Sequence, residues 1–204
     1  MVMKLSEIRK HLSQFRVGIA GAGGLGSNCA VALARCGVGN LVICDFDGIE
    51  PDNLNRQYFF LNQAGMLKCE ALKHNISLID SNINVEIHNT RLHTDNIPEI
   101  FRSCDVIIEA FDRKEMKEMI IETVQKNLPG IPLIIGSGVA GWGDTDSIKC
   151  RKIDDTLYVC GDESTETSDD LPPLAPKVAI VAGMQADTAI TILLNRNNPY
   201  GTLL

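Results

Sequence analysis

The stretch GIAGAGGLGSN, Gly18 to Asn28, decides the fold. It completes an apolar run, RVGIA (16–20), and opens GLGSNCAVALARCG (24–37). The first segment reads as a strand, and the second reads as a helix that stops on a glycine. Gly21, Gly23 and Gly26 stand between and just inside them in G-x-G-x-x-G spacing, and Gly24 doubles the second glycine. Glycines let the backbone turn tightly and approach a phosphate, and the helix N-terminus beyond attracts anions. The spacing points to a nucleotide site without choosing among NAD, FAD and ATP.

The alternation continues outward. Strand signals fall at 40–46, 84–90, 105–111 and 132–138, and helical periods at 63–80, 95–103 and 112–127, with Asp95 as an N-cap. Residues 46–60 read as a polar loop broken by Pro51. Short strands alternating with helices predict βαβ units, hence an α/β, Rossmann-like, doubly wound and mostly parallel sheet. In such a sheet ligands gather beyond the C-terminal strand ends. Two runs, 146–154 and 156–160, predict an antiparallel extension near the C-terminus. An acidic, proline-rich segment, 161–176, reads as a mobile loop, and 178–194 as a buried core helix slightly short for a membrane span.

With 204 residues, 45% of them hydrophobic, the chain suffices for a single domain over 1–204. The net charge of −7 and the lack of a Lys/Arg stripe speak against a nucleic-acid track. The N-terminus, MVMKLSEIRKHLSQF, reads as a short amphipathic helix and lacks the apolar core of a secretory signal. Seven cysteines with no C-x-x-C pair predict reduced thiols, a cytoplasmic setting and no structural zinc. His11, His74, His88 and His93 show no metal spacing.

Other residues narrow the chemistry. Asp45 ends the second strand where an acid accepts hydrogen bonds from ribose hydroxyls, and Asp47 could act as a cap or second ligand. DNLNRQ, Asp52 to Gln57, then supplies Arg56 between amides. When a carboxylate attacks the α-phosphate of ATP, two anions meet. An arginine neutralises that charge with directional donors, and Asn53 and Gln57 orient phosphates without adding charge. Lys68 opens a helix, where dipole and ammonium both favour phosphate. Asp112 follows the strand DVIIEAF, where a carboxylate can hold magnesium on a triphosphate. A hydride-transfer enzyme has no common use for Arg56, Lys68 and Asp112 together.

GAGGLGS, DFDGIEPDNLNRQ, GMLKCEAL and the strand-end Asp112, in that order, resemble the ThiF/MoeB/HesA-type activating enzymes, which have a ubiquitin-activating-like fold. The resemblance runs from about Arg16 to Leu194. EAFDRKEMK, SGVAGWG and LPPLAPKV are most similar to the family's short, zinc-free ThiF branch. It implies ATP and Mg2+ as cofactors. The phosphates would lie on Gly21, Gly23, Gly24 and Gly26, and the ribose on Asp45, with Asp47 beside it. Asn53, Arg56, Gln57 and Lys68 would hold phosphates, and Asp112 the metal. The implied reaction is adenylylation of the C-terminal Gly-Gly carboxylate of a ThiS-like sulfur carrier in thiamine (thiazole) biosynthesis, by a homodimer. Same-fold alternatives activate a molybdopterin carrier or the threonylcarbamoyl group on tRNA. A nicotinamide-dependent oxidoreductase is the remaining reading.

The chain departs from the family at several points. It lacks the two C-x-x-C pairs that bind zinc in many members, and no Arg-Gln pair stands on its short N-terminal arm. Arg113 replaces a common asparagine. Some relatives carry a reactive cysteine before the last helix; here Cys160 and then Cys150 are the nearest thiols, and buried thiols usually serve as small hydrophobes. Lys177 is expected to play a surface role, and Trp142 to pack in the core or at the crevice rim.

Overall fold

The computed structural model describes residues 4–196. The first three residues of the expected N-terminal helix lie outside that range. The chain runs through α1 (Leu5–Leu12), β1 (Arg16–Ala20), α2 (Gly24–Cys36), β2 (Asn40–Cys44), α3 (Lys68–Ser77), β3 (Asn84–His88) and α4 (Asn96–Phe101). It continues through β4 (Val106–Glu109), α5 (Lys114–Asn127), β5 (Leu133–Gly136), β6 (Lys149–Lys152), β7 (Leu157–Gly161) and α6 (Ala175–Asn195).

One seven-stranded sheet has the order β3-β2-β1-β4-β5-β7-β6. All pairs are parallel except β6–β7, so the expected antiparallel extension forms the edge. Chain order reverses between β1 and β4, which makes the crevice above those strands the switch point of a doubly wound sheet. Period-two burial divides the core. Val17, Ile19, Leu41, Ile43, Val106 and Ile108 face one layer, which includes residues of α2 and α6. Ala20, Val42, Cys44 and Ile107 face the other, with Phe101 of α4 and Ile120 of α5. A sheet covered on both faces needs apolar residues at both phases, which is why its strands read as nearly continuous apolar runs.

Several element ends differ from the expectation. Residues 46–60 contain a 3-10 turn, Pro51–Asn55, with its proline at the favoured first position. The expected helix over 63–80 begins only at Lys68, because Gly65 takes φ +87 and breaks the register. Asp95 makes no capping hydrogen bond; Asn96 Oδ1 instead accepts from the His93 N–H at 2.8 Å. The last helix spans 21 residues, long and apolar enough by length and composition to cross a membrane. Its buried face packs on α2, α1 and strands of the sheet, and Ile180 on the opposite face is 39% exposed. The acidic loop is anchored where it begins: Asp162 Oδ1 accepts from the backbone N–H of Ser164 and of Thr165, both at 2.8 Å.

Candidate active site

Gly21 ends β1 with φ +99, a backbone state that only glycine adopts readily. A Cβ on Gly26 would stand 1.9 Å from the Gly21 carbonyl oxygen, so the first turn of α2 can press against the loop only with glycine there. The loop thus presents α2's free N–H groups at the switch point.

Asp45 leaves β2 and turns toward this loop. Its Oδ2 accepts from Ala22 N–H at 2.6 Å, and its Oδ1 from Asp47 N–H at 2.8 Å. A carboxylate has further lone pairs, so this fixed group can still accept from hydroxyls. Asp47 reaches Lys68, whose Nζ lies 2.9 Å from its Oδ2. The Lys68 side chain is 7% exposed and that of Asp47 50%. The lysine is therefore sealed in the wall while its partner stands half in solvent.

The 3-10 turn delivers Arg56 and Gln57. Asn28 on α2 donates to the Arg56 carbonyl at 2.9 Å, which moors that segment to the glycine helix. Arg56 donates from Nη1 to Asn55 Oδ1 at 2.7 Å and forms no ion pair among the described residues. Gln57 is 8% exposed, and its buried Oε1 has no hydrogen-bond partner. Its Nε2 lies 3.9 Å from where a Cβ on Gly23 would stand. The orphaned atom is an acceptor and asks for a donor; only the Nε2 side of this amide can donate to an anion.

Gly21, Gly23, Gly24, Asp45, Asp47, Arg56, Gln57, Lys68 and Asp112 converge on one cleft of about 910 Å³. Two expected site residues do not line it. Gly26 lies behind the loop, and Asn53 turns its Oδ1 to the Glu50 N–H at 3.2 Å to close the 3-10 turn. The cleft has walls that sequence reasoning missed. Phe46 stands beneath Arg91, whose guanidinium carbon is 5.5 Å from the ring centroid, and Phe111 and Lys117 border Asp112. Adjacency to an acid beyond a strand was the available signal: Phe46 directly follows Asp45 and Phe111 directly precedes Asp112.

Asp112 is exposed, three residues beyond the end of β4. Among the described residues no three of His, Cys, Asp and Glu gather as a metal-binding group. A magnesium ion bound through phosphates asks the protein for only one or two carboxylates, so an isolated Asp112 on the cleft wall fits that demand.

Cys150 and Cys160 face each other across β6 and β7, but neither lines the cleft. Cys160 is buried, and burial pushes its thiol well above the ordinary cysteine range, which disfavours the nucleophilic thiolate. Lys177 departs from its expected surface role. It is buried, donating to Asp162 Oδ2 at 2.6 Å and to the Ala140 carbonyl at 2.8 Å. Trp142 departs in the opposite sense: it is 67% exposed and belongs to neither the core nor the cleft wall. The Gly141–Pro173 bridge beside it fixes the backbone and leaves the indole outside.

The model of the ThiF family matches residues 3–204. The chain belongs to the ThiF family. It is 34% identical over 185 residues to the adenylyltransferase and sulfurtransferase MOCS3 of Caenorhabditis briggsae, covering 87% of this chain and 45% of that protein. It is 35% identical over 143 residues to the adenylyltransferase and sulfurtransferase UBA4 of Saccharomyces cerevisiae, covering 70% of this chain and 32% of that one. The chain thus spans less than half the length of these relatives. Among solved structures, the E. coli tRNA N6-threonylcarbamoyladenosine dehydratase TcdA in complex with AMP has a TM-score of 0.82 at 20% identity, covering 92% of this chain and 89% of that one. E. coli MccB with AMPCPP and MccA has a TM-score of 0.71 at 21% identity, covering 91% and 58%. At that identity these likenesses concern the fold.

Proposed function

We propose that this ThiF-family chain adenylylates the C-terminal glycine carboxylate of a small ubiquitin-like sulfur carrier of the ThiS type. The products are a carrier acyl-adenylate and pyrophosphate. One observation carries the reading: a glycine loop, a ribose-type acid at Asp45, the cations Arg56 and Lys68, the amide of Gln57 and a separate carboxylate, Asp112, share one cleft at the switch point. A nicotinamide enzyme has use for the loop and Asp45 but leaves Arg56, Lys68 and Asp112 without work.

In this reading the ribose hydroxyls donate to Asp45, which Ala22 N–H already orients. Arg56, free of a carboxylate partner, meets the phosphates, and Gln57 would donate to them from Nε2. Lys68 exchanges Asp47 for phosphate oxygen, which Asp47's exposure permits. Magnesium on the triphosphate supplies charge neutralisation, and Asp112 is the side chain that would hold it. The carrier's carboxylate is already ionised at neutral pH, so no general base is required. Catalysis then consists of bringing two anions into line and offsetting their charge. We assign the cytoplasm and a homodimer to the same reading; the net charge of −7 favours a protein carrier over tRNA as the partner.

The test is ATP–pyrophosphate exchange with a small Gly-Gly-ended carrier. Exchange that depends on the carrier supports the reading, and Arg56→Ala and Asp112→Ala each abolish it in a folded protein. Absence of exchange with any such carrier, together with binding of NADH, would sink it. Exchange driven by a threonylcarbamoylated tRNA instead would move the substrate to nucleic acid.

A further inference from the structure

Glu109 is the last residue of β4, the strand that leads to Asp112. It is a carboxylate in the sheet's interior with no exposed surface, on the strand phase that faces α5. Its Oε1 accepts from the Phe111 N–H at 2.6 Å, and its Oε2 from the Gly136 N–H at the end of β5 at 3.3 Å. Lys117 on α5 donates to both oxygens, at 2.8 and 3.0 Å, and to the Gly136 carbonyl at 2.8 Å. Burial pushes the Glu109 carboxyl up, against the pull of Lys117 and the two N–H donors. In all four bonds that reach the Glu109 side chain its oxygens accept, which is the pattern of an ionised pair.

An apolar residue would fill this strand position at less cost, since a buried ion pair rarely outdoes well-packed hydrophobes in stability. The bonds show what the charge does instead. The Phe111 N–H is the last backbone donor before Asp112, and Glu109 is its acceptor. On the other side of Asp112, the Lys117 N–H donates to the Arg113 carbonyl at 3.2 Å, a backbone bond of the first turn of α5 that does not involve the pair. The Glu109–Lys117 pair itself holds the Phe111 N–H on the near flank of Asp112 and ties it, through the Lys117 ammonium, to α5 and to the end of β5. Gln185 on α6 fixes the same strand end, donating from Nε2 to the Glu109 carbonyl at 2.9 Å.

We infer that Glu109, locked by Lys117, is a positioning residue that sets where Asp112 presents its carboxylate to the cleft. The inference rests on the adenylylation reading, in which Asp112 meets the metal carried by ATP. Removing a group that orients a metal-holding side chain typically costs about 10–100-fold in metal affinity.

Glu109→Gln keeps one acceptor but leaves the Lys117 ammonium unpaired, so its effect on folding could mask the effect on the turn. The Glu109→Gln, Lys117→Met double variant removes both charges together and is the informative protein. Two measurements apply: amide hydrogen exchange over residues 110–114, and calorimetric titration of ATP with magnesium or with EDTA. The double variant is expected to fold and to exchange faster over 110–114. Because Lys117 lines the cleft, the quantity read is the ratio of ATP affinities with magnesium and with EDTA, not the metal-free affinity itself. The tightening of ATP binding by magnesium is expected to fall about tenfold. A folded double variant with parental exchange at 110–114 and the full magnesium effect overturns the inference. Asp112→Asn separates the two levels. If it loses the magnesium effect while the double variant keeps it, positioning fails and the adenylylation reading stands. If Asp112→Asn keeps the effect, or the parent binds no ATP, the site assignment fails and takes the inference with it.

Discussion

Lys68 and Lys177 occupy matching places with different surroundings. Each lies in the first turn of a helix, where the dipole disfavours a cation, each is buried, and each pairs with an aspartate. The partner of Lys68 is half in solvent: the Asp47 side chain is 50% exposed. The partner of Lys177 is sealed: the Asp162 side chain is 2% exposed and also accepts from Ser164 and Thr165. Asp47 can trade its lysine for water at little cost, and under the proposed function that leaves the ammonium for phosphate. Asp162 has no such exit. The same residue pair is thus a releasable contact on the cleft wall and a permanent tie between α6, the 138–141 segment and the acidic loop.

The largest expected effect breaks the sealed pair. Lys177→Met leaves Asp162 charged and buried without its counter-ion, and stability falls by about 3–5 kcal/mol in chemical denaturation. A loss below about 1 kcal/mol would place Lys177 with Lys68 and erase the contrast. Acid should break the same tie more gradually. Burial alone would raise the Asp162 carboxyl, but Lys177 and the Ser164 and Thr165 N–H groups hold it well below the usual carboxylate range. The folded protein therefore binds that proton less readily than the unfolded chain. The stabilisation is complete above about pH 4 and fades as pH falls further. Stability curves against pH for the parent and Asp162→Asn check the sign, because the variant should lose much of the acid-dependent slope.

Lys68→Met reverses the balance of effects. Its partner returns to water, so the loss of stability stays near 1 kcal/mol. Pyrophosphate exchange, by contrast, falls by about 100-fold or more as a phosphate-side cation is lost. Asp47→Asn is the mildest change. It frees Lys68 without removing it, so stability moves by less than about 1 kcal/mol and ATP affinity holds or rises. A strong loss of ATP affinity in Asp47→Asn would mean that Asp47 itself is a ligand and the pair is not releasable.

The releasable side of the contrast was legible along the chain and the sealed side was not. Gly21, Asp45, Lys68 and Asp112 each follow a strand or open a helix, and a parallel sheet brings such positions to one edge, while Arg56 was read from its motif and closes the 3-10 turn. Asn53 does not line the cleft and Gln57 does; the motif DNLNRQ does not say which amide turns inward, and the 3-10 turn holds the Asn53 amide on the Glu50 N–H. Lys177 misled for a related reason. A lysine beside an acidic loop resembles any solvated pair until the fold puts Ala140 on one side and Asp162 on the other. Trp142 shows the converse, since a large apolar side chain is core only if the backbone turns inward, and the segment around Gly141 turns it out. Glu109 carried a faint trace, a lone acid at an inward phase of VIIEAF, with a lysine eight positions on.

Periodicity and glycine spacing alone determined the alternating α/β order, the parallel sheet, the antiparallel edge and the nucleotide-type loop, because those depend on local backbone preference and on burying one face of each element. Tertiary structure alone decided which charges are sealed into the fold and which line the cleft with a partner in water. That choice depends on whether water can reach the partner of each charge, as it reaches Asp47 and does not reach Glu109 or Asp162. Access of that kind is a property of the packed molecule, set by residues far apart in the chain.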